Sequence, residues 1–410
     1  MSEHRARDEL GRVSIERGTS EARRELATGA ERSGSQTVLT GARMVTPAGV
    51  IADGWLRLAG GMITELGQGV PTVPEPELDD LSGGWLVPGF IDLHMHGGGG
   101  HDVTESKESM AAAIDYHRRR GSTRTLVSLM AGPLDAMCAQ LGWLVQLADA
   151  DQQLAGAHLE GPFLAHARCG AQNAAYLQQP NTQLLAKLLD AGQGTVRSVT
   201  IAPELPGALG LISELAAAGV IAAIGHTDAD YQQTQAGFTA GATLVTHLFN
   251  AMPPLDHRRP GAALAALESP AALELINDGV HVHPAMVRLA ANLGRDRLVL
   301  VTDAMSATGV GDGSYQLGGL PVTVVDGQAR TSTSGSLAGS TLTLDQAFRR
   351  AVHEVGLSIE DAVAAASTNP ARVLGLAERC GAIRPGLAAD LVLLDDDLQV
   401  RRVMVAGRWL

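Results

Sequence analysis

The chain has 410 residues, 45% hydrophobic and 18% charged, which is enough for one large globular unit plus a smaller one. A formal net charge of -13 with no Lys/Arg block argues against general nucleic-acid binding and against attachment to a membrane surface. Three scattered cysteines (Cys138, Cys169, Cys380) do not make a disulfide framework, and the longest apolar stretch, around Leu215 to Ile224, is too short to span a bilayer. With no secretory signal at the N-terminus, a cytoplasmic protein is expected.

Residues 1–35 are rich in Arg, Glu, Ser and Gly and poor in large apolar side chains, and read as a disordered extension. Short β-type runs follow at Thr37–Leu39, Gly54–Leu58 and Gly61–Leu66, separated by Gly and Pro. Similar material returns at Ala389–Leu394 and Val400–Trp409. The expectation is a small β-sandwich domain built from residues 36–85 and 376–410, flanking a domain of residues 86–375. Within the latter, apolar strand candidates lie at Leu86–His94, Thr123–Leu129, Leu154–Leu159, Ser198–Ile201, Val220–Ile224, Thr243–His247, Leu273–Ile276 and Leu298–Thr302. Such nearly continuous apolar runs suit strands buried on both faces. Helical patterns at 106–120, 133–149, 181–191, 208–218 and 285–293 lie between them. Eight such units predict an α/β fold of the (β/α)8 TIM-like barrel type. A doubly wound open sheet is the alternative, but no Gly-rich dinucleotide fingerprint supports it. After the eighth unit, Asp326-Gly327 predicts a β-hairpin within Val322–Thr331, and helices are expected near 342–355 and 359–367.

Polar residues cluster at the C-terminal ends of these strands, the face where barrel active sites form. His94 and His96 are two apart in an extended run and project from one face. Glu160, His226, His247 and Asp303 end the third, fifth, sixth and eighth strands. A lone strand-end histidine is more often structural than a ligand; five strand ends in register point to a divalent metal site. Zn²⁺ is the leading ion, with Fe²⁺ the alternative, and one or two ions per subunit are both compatible with the pattern.

Pro88-Gly89-Phe90-Ile91-Asp92-Leu93-His94-Met95-His96-Gly97 resembles the first-strand motif of the amidohydrolase superfamily. His158-Leu159-Glu160-Gly161-Pro162-Phe163, Gly225-His226-Thr227, Thr246-His247-Leu248-Phe249-Asn250-Ala251-Met252 and Val301-Thr302-Asp303-Ala304 resemble, more narrowly, its N-acetylglucosamine-6-phosphate deacetylase family. The resemblance runs from about residue 37 to the C-terminus. It implies that Glu160, His226 and His247 bind a principal metal, and that His94 and His96 complete a second site with Glu160 and Asp303. It also implies that Asp303 is the catalytic acid/base, with Asp303 as a pure ligand the other option. His281, Asn250, Ala251 and Gln172 become substrate contacts, Gln172 standing where some relatives have a histidine. Arg258, or its neighbour Arg259, would reach the site of a partner subunit in a homodimer; a solvated loop of two arginines is the bland alternative. Lys107 and Lys187, the only lysines, fall in helical patterns, which leaves Glu160 rather than a carbamylated lysine as the bridging anion. Competing readings are another amidohydrolase reaction, such as deacetylation of the galactosamine isomer, and a catalytically silent sugar-phosphate sensor. Cys169 reads as an inert surface thiol, and Ser336–Thr341 either lines the pocket or caps a helix through Ser340 or Thr341.

Overall fold

The computed structural model describes residues 37–71 and 77–410; the extension expected at 1–35 lies outside them. Eight parallel strands, Phe90–Met95, Ser122–Met130, Leu154–Glu160, Val196–Ile201, Ile221–Ile224, Leu244–Val245, Ala272–Ile276 and Leu298–Val301, pair in chain order. The first and last then meet. The Asp303 N–H donates to the His94 carbonyl and the His96 N–H to that of Ala304, each at 2.8 Å, and Met95 bridges Ala304 in parallel. The sheet is therefore a closed (β/α)8 barrel, and the open-sheet alternative falls.

Apolar side chains of the barrel strands pack outward under helices such as Lys107–Arg118, Leu134–Ala150, Thr182–Gly192, Ala208–Ala217 and Pro284–Gly294. These helices match the expected ones to within two or three residues. Ser106 and Asn181 begin two of them by accepting the Ser109 and Leu184 N–H groups at 3.0 and 2.9 Å. The barrel interior, by contrast, is largely polar. Thr302 donates its hydroxyl to Asp92 (2.6 Å), while Ser128, His158, Thr200 and Thr246 form a buried chain of bonds of 2.7–2.9 Å. With both ring nitrogens bonded to hydroxyls, burial holds the His158 pKa well below the usual imidazole range.

Two strand boundaries differ from expectation. The run expected as Leu86–His94 is two strands, because the chain leaves one sheet at Trp85–Pro88 and enters the barrel at Phe90. Gly89 permits the switch: a Cβ there would sit 2.2 Å from Thr123 Oγ1 and 2.5 Å from its Cγ2. Gly89→Ala is expected to destabilise by about 2 kcal/mol through overpacking, and Thr123→Ala in the same chain to restore most of it. Urea unfolding of both variants checks this; equal losses would refute the contact. The sixth strand stops at Val245 rather than His247, because His247 adopts a left-handed backbone (φ 29°) that cannot continue a ladder.

The small domain expected from both chain ends is an eight-stranded mixed sheet uniting Thr37–Pro88 with Leu391–Trp409. It curls until Ile63 exchanges backbone hydrogen bonds with Gly386 and Leu387, enclosing Leu39, Met44, Leu56, Ile63, Leu86 and Leu391. A buried Arg124–Asp390 ion pair (3.1 Å) ties it to the second barrel strand. The Asp326-Gly327 hairpin forms with positive φ at both turn residues (51° and 71°), and Gly313–Leu317 adds a third strand that the sequence did not announce. The helices expected at 342–355 and 359–367 are each α-helical first (Leu344–Arg350, Ile359–Val363) and π-helical after. The N-cap of the former is Thr343, not Ser340 or Thr341; the Ser340 hydroxyl instead donates to the Thr302 carbonyl at 2.6 Å.

His117 locks the first helix to the loop after the first barrel strand, donating from Nε2 to the Gly97 carbonyl at 2.9 Å. Burial pushes its pKa down to about 4, with Arg120 adding to the shift. The unfolded chain takes up a proton near pH 6.5 that the native chain refuses until about pH 4. Stability is therefore expected to fall by up to about 3 kcal/mol as pH drops through that window. Urea midpoints of wild type and His117→Gln at pH 7 and 4.5 test it; identical pH dependence would exclude His117 as the cause. Among the described residues, no helix is long and apolar enough to cross a membrane.

Candidate active site

The expected strand-end residues converge at the C-terminal mouth of the barrel. Two trios each bring one ligand-capable atom per residue to within 4.8 Å of the others: His94, His96 and Asp303, and Glu160, His226 and His247. All six are buried. His226, His247 and Asp303 carry left-handed backbones (φ 47°, 29° and 49°), a conformation costing of order 1–3 kcal/mol each in a non-glycine residue. Surrounding hydrogen bonds hold them there. The His226 carbonyl accepts from Ala165, that of His247 from Asn250, and that of Asp303 from Ser340. Strain of this kind bends the chain off the ladder and aims each side chain across the barrel axis.

Glu160 lies between the trios. Its Oε1 is 2.9 Å from His226 Nε2, 3.1 Å from His247 Nε2 and 3.5 Å from His94 Nε2. Its Oε2 is 3.2 Å from His96 Nε2 and accepts the Gln172 amide at 2.7 Å. Asp303 Oδ1 stands 3.3 and 3.5 Å from the Nε2 atoms of His96 and His94. Both lysines sit in helices, so no lysine reaches the site and Glu160 is the carboxylate between the two trios.

The tautomers can be deduced. His226 Nδ1 is 2.8 Å from the Arg168 carbonyl and His96 Nδ1 is 3.0 Å from that of Ser128. A carbonyl only accepts, so each Nδ1 carries the proton and each Nε2 turns into the cluster. There the Nε2 atoms face carboxylate oxygens and one another, with His94 and His96 only 3.0 Å apart and His226 and His247 3.1 Å apart. Such contacts need a proton or a cation between them. For the protein alone the groups shift accordingly. Burial opposes charge on His96, yet Asp303 and Glu160 raise its pKa to about 9; burial opposes charge on Asp303, yet His94 and His96 bring it down to about 2. Burial opposes charge on Glu160 too, yet the charge of His94 and hydrogen bonds from His226, His247 and His94 hold it well below the usual carboxylate range. Imidazoles and carboxylates in this arrangement fit a borderline divalent ion, which would replace those protons.

A cavity of about 330 Å³ opens over the cluster, walled by Glu160, His226, His247 and Asp303 below and by Asn250, Ala251, His281 and Gln172 at the sides. His281 is held by Asp278 (2.6 Å), which raises its pKa against the effect of burial. Gln172 is more committed than expected: its amide oxygen accepts from Ala131 at 2.9 Å while its nitrogen donates to Glu160. Ser336, Leu337 and Gly339 complete the wall, and half-buried Cys169 lies in the loop beside it. Arg258 is exposed and lines a second, larger cavity of about 830 Å³. Arg168, which sequence reasoning passed over, lines both cavities and pairs with Asp228 at 2.8 Å. Glu274 was also missed. It lies buried behind His94, with Oε2 3.4 Å from Nδ1, and a lone carboxylate in the run Ala-Leu-Glu-Leu-Ile was the signal that could have found it.

A closed barrel that gathers imidazoles and carboxylates at its C-terminal mouth has the architecture of a metal-holding barrel enzyme. Residues 85–410 match the amidohydrolase family, and the chain belongs to that family. It is 37% identical over 376 residues to N-acetylgalactosamine-6-phosphate deacetylase of Escherichia coli O157:H7, covering 90% of this chain and 98% of the relative. N-acetylglucosamine-6-phosphate deacetylase of Bacillus subtilis is 34% identical over 89% of this chain and 94% of its own length. A Mycobacterium smegmatis N-acetyl-D-glucosamine-6-phosphate deacetylase variant, solved in complex with N-acetyl-D-glucosamine-6-phosphate, is 43% identical. Its TM-score is 0.87, over 92% of this chain and 99% of that one.

Proposed function

We propose that the chain hydrolyses the N-acetyl group of N-acetylglucosamine 6-phosphate to glucosamine 6-phosphate and acetate, serving amino-sugar catabolism and cell-wall recycling. The observation that carries this reading is Asp303, an ionised carboxylate that lines the cavity over the cluster, in a chain whose overall fold is similar to that of a solved deacetylase. Glu160, His226 and His247 would hold one divalent ion, Zn²⁺ or Fe²⁺, and His94, His96 and Asp303 a second. When bound, such an ion polarises an amide carbonyl and lowers the pKa of coordinated water to roughly 7.

Asp303 accepts a proton from the attacking water as its oxygen joins the acetyl carbon. It then delivers that proton to the sugar nitrogen as the C–N bond breaks, so a neutral amine and acetic acid leave, the acid giving its remaining proton to solvent to become acetate. Arg168 and His281 stand in the cavity wall and suit the phosphate as hydrogen-bond donors, while Asn250 and the Ala251 backbone add further hydrogen bonds. Gln172 keeps Glu160 oriented. A cytoplasmic homodimer is proposed in which Arg258 extends from one subunit toward the other's substrate. In support, Arg258 is exposed beside a cavity that shares Arg168 with the site, and it makes no ion pair among the described residues.

A second reading has its own observation: a relative of similar identity is named for the galactosamine isomer. Acetate release is to be measured from N-acetylglucosamine 6-phosphate, N-acetylgalactosamine 6-phosphate and unphosphorylated N-acetylglucosamine. The expected order of kcat/KM places the glucosamine phosphate first and the unphosphorylated sugar last. A faster galactosamine phosphate would reassign the substrate, and no release from either phosphate would sink the deacetylase reading.

A further inference from the structure

The seventh barrel strand, Ala272–Ile276, is buried at every position, and its middle residue is a carboxylate. Glu274 is 1% exposed and has no arginine or lysine partner among the described residues. Its Oε2 meets two groups only, His94 Nδ1 at 3.4 Å and the His247 backbone N–H at 3.4 Å. A carboxylate taken out of water in such a place is strongly disfavoured without a countercharge. The other cluster rings are backed differently. His226 and His96 rest on the neutral carbonyls of Arg168 and Ser128, and His247 Nδ1 has no partner. Among the four rings of the two trios, His94 alone has a full negative charge behind it.

We propose that Glu274 is the positioning residue of the second ion's site, where it fixes the His94 ring and supplies the countercharge that lets His94, His96 and Asp303 retain a cation. The physical reason is the carboxylate–histidine–metal relay. Nδ1–H held on a carboxylate points the Nε2 lone pair at the ion and raises its basicity. Its grip on the Glu160 trio is weaker in kind, since there it touches only a backbone N–H. Counting charge gives the same division. Glu160 and Asp303 together balance one divalent ion; of the further buried carboxylates, Asp92 is held by the Thr302 hydroxyl and the His94 backbone N–H, while Glu274 faces the His94 ring and calls for positive charge there. The inference rests on the metal-dependent reading of the site and not on the identity of the sugar.

The test counts ions directly. Protein stripped with a chelator is titrated with Co²⁺, and bound cobalt is measured after dialysis and by its visible absorption. Wild type is expected to take up two ions in separable steps. Glu274→Gln keeps the shape and an acceptor for Nδ1–H, and is expected to bind the first ion normally but the second about 10- to 100-fold more weakly. His94→Gln serves as the reference for a vacant second site. Two ions bound by Glu274→Gln with wild-type affinity would overturn the role of Glu274, as would equal weakening of both. A wild type that binds one ion overturns it whatever the variant does, and a wild type that binds none overturns the metal reading itself.

Discussion

Asp303→Asn is expected to lower kcat by about 10³-fold, a loss of about 4 kcal/mol in transition-state stabilisation, with KM and the ion held by Glu160, His226 and His247 close to wild type. The substitution preserves shape, and the backbone of residue 303 is fixed from both sides by the His94 carbonyl and the Ser340 N–H. What it removes is the ability to take a proton and give it back. The wild-type carboxylate is ionised at neutral pH because His94 and His96 outweigh the effect of burial, so it starts the reaction as an acceptor. The effect should therefore fall on the chemical step. Steady-state rates with metal analysis on the same samples decide it. A variant that keeps its first ion and its rate would show that the proton travels by another route.

Glu160→Gln should cost the protein its metal before its chemistry. The carboxylate contacts His94, His96, His226 and His247 within 3.5 Å, more of the cluster than any other side chain. Removing one partner from a buried charged cluster costs about 3–5 kcal/mol, so ion affinity should drop by about 10²- to 10⁴-fold and activity with it. Chelation of the wild type should reproduce the loss, and added Zn²⁺ should restore the wild type but not the variant at the same free concentration. Full activity in a chelated, metal-free wild type would remove the ion from the reaction altogether.

Much of this was written plainly in the residues. The barrel strands are short apolar runs bounded by polar ends, and a run buried on both faces leaves few other interpretations. The trio residues were legible for a related reason: a strand's C-terminal end is a fixed address, so His226 and Asp303 could be placed without knowing any side-chain angle. Legibility ended where tertiary contact made the decision. The break at Gly89 depends on the bulk of Thr123, more than 30 residues away. Gly313–Leu317 buries only Leu317 fully, which is too weak an alternation to announce a strand. Arg168 sits in a loop, where no periodicity says which way a side chain faces. The commitment of Gln172 to Glu160 likewise depends on a loop folding back over the barrel mouth.

The small sheet has a consequence for how the molecule is made. Its central pairing, Pro88 through Trp85 against Leu391 through Leu394, joins segments about 300 residues apart. On a ribosome adding roughly 5–20 residues per second, the half-sheet of Thr37–Pro88 would wait about 15–60 s with an open edge before its partner emerged. Ile383, Leu391, Leu393 and Met404, which fill the same apolar interior, arrive equally late. The newborn chain thus spends the whole synthesis of the barrel with a sticky strand exposed, and a truncation that spared every residue of the catalytic mouth but removed the last twenty would leave it so permanently.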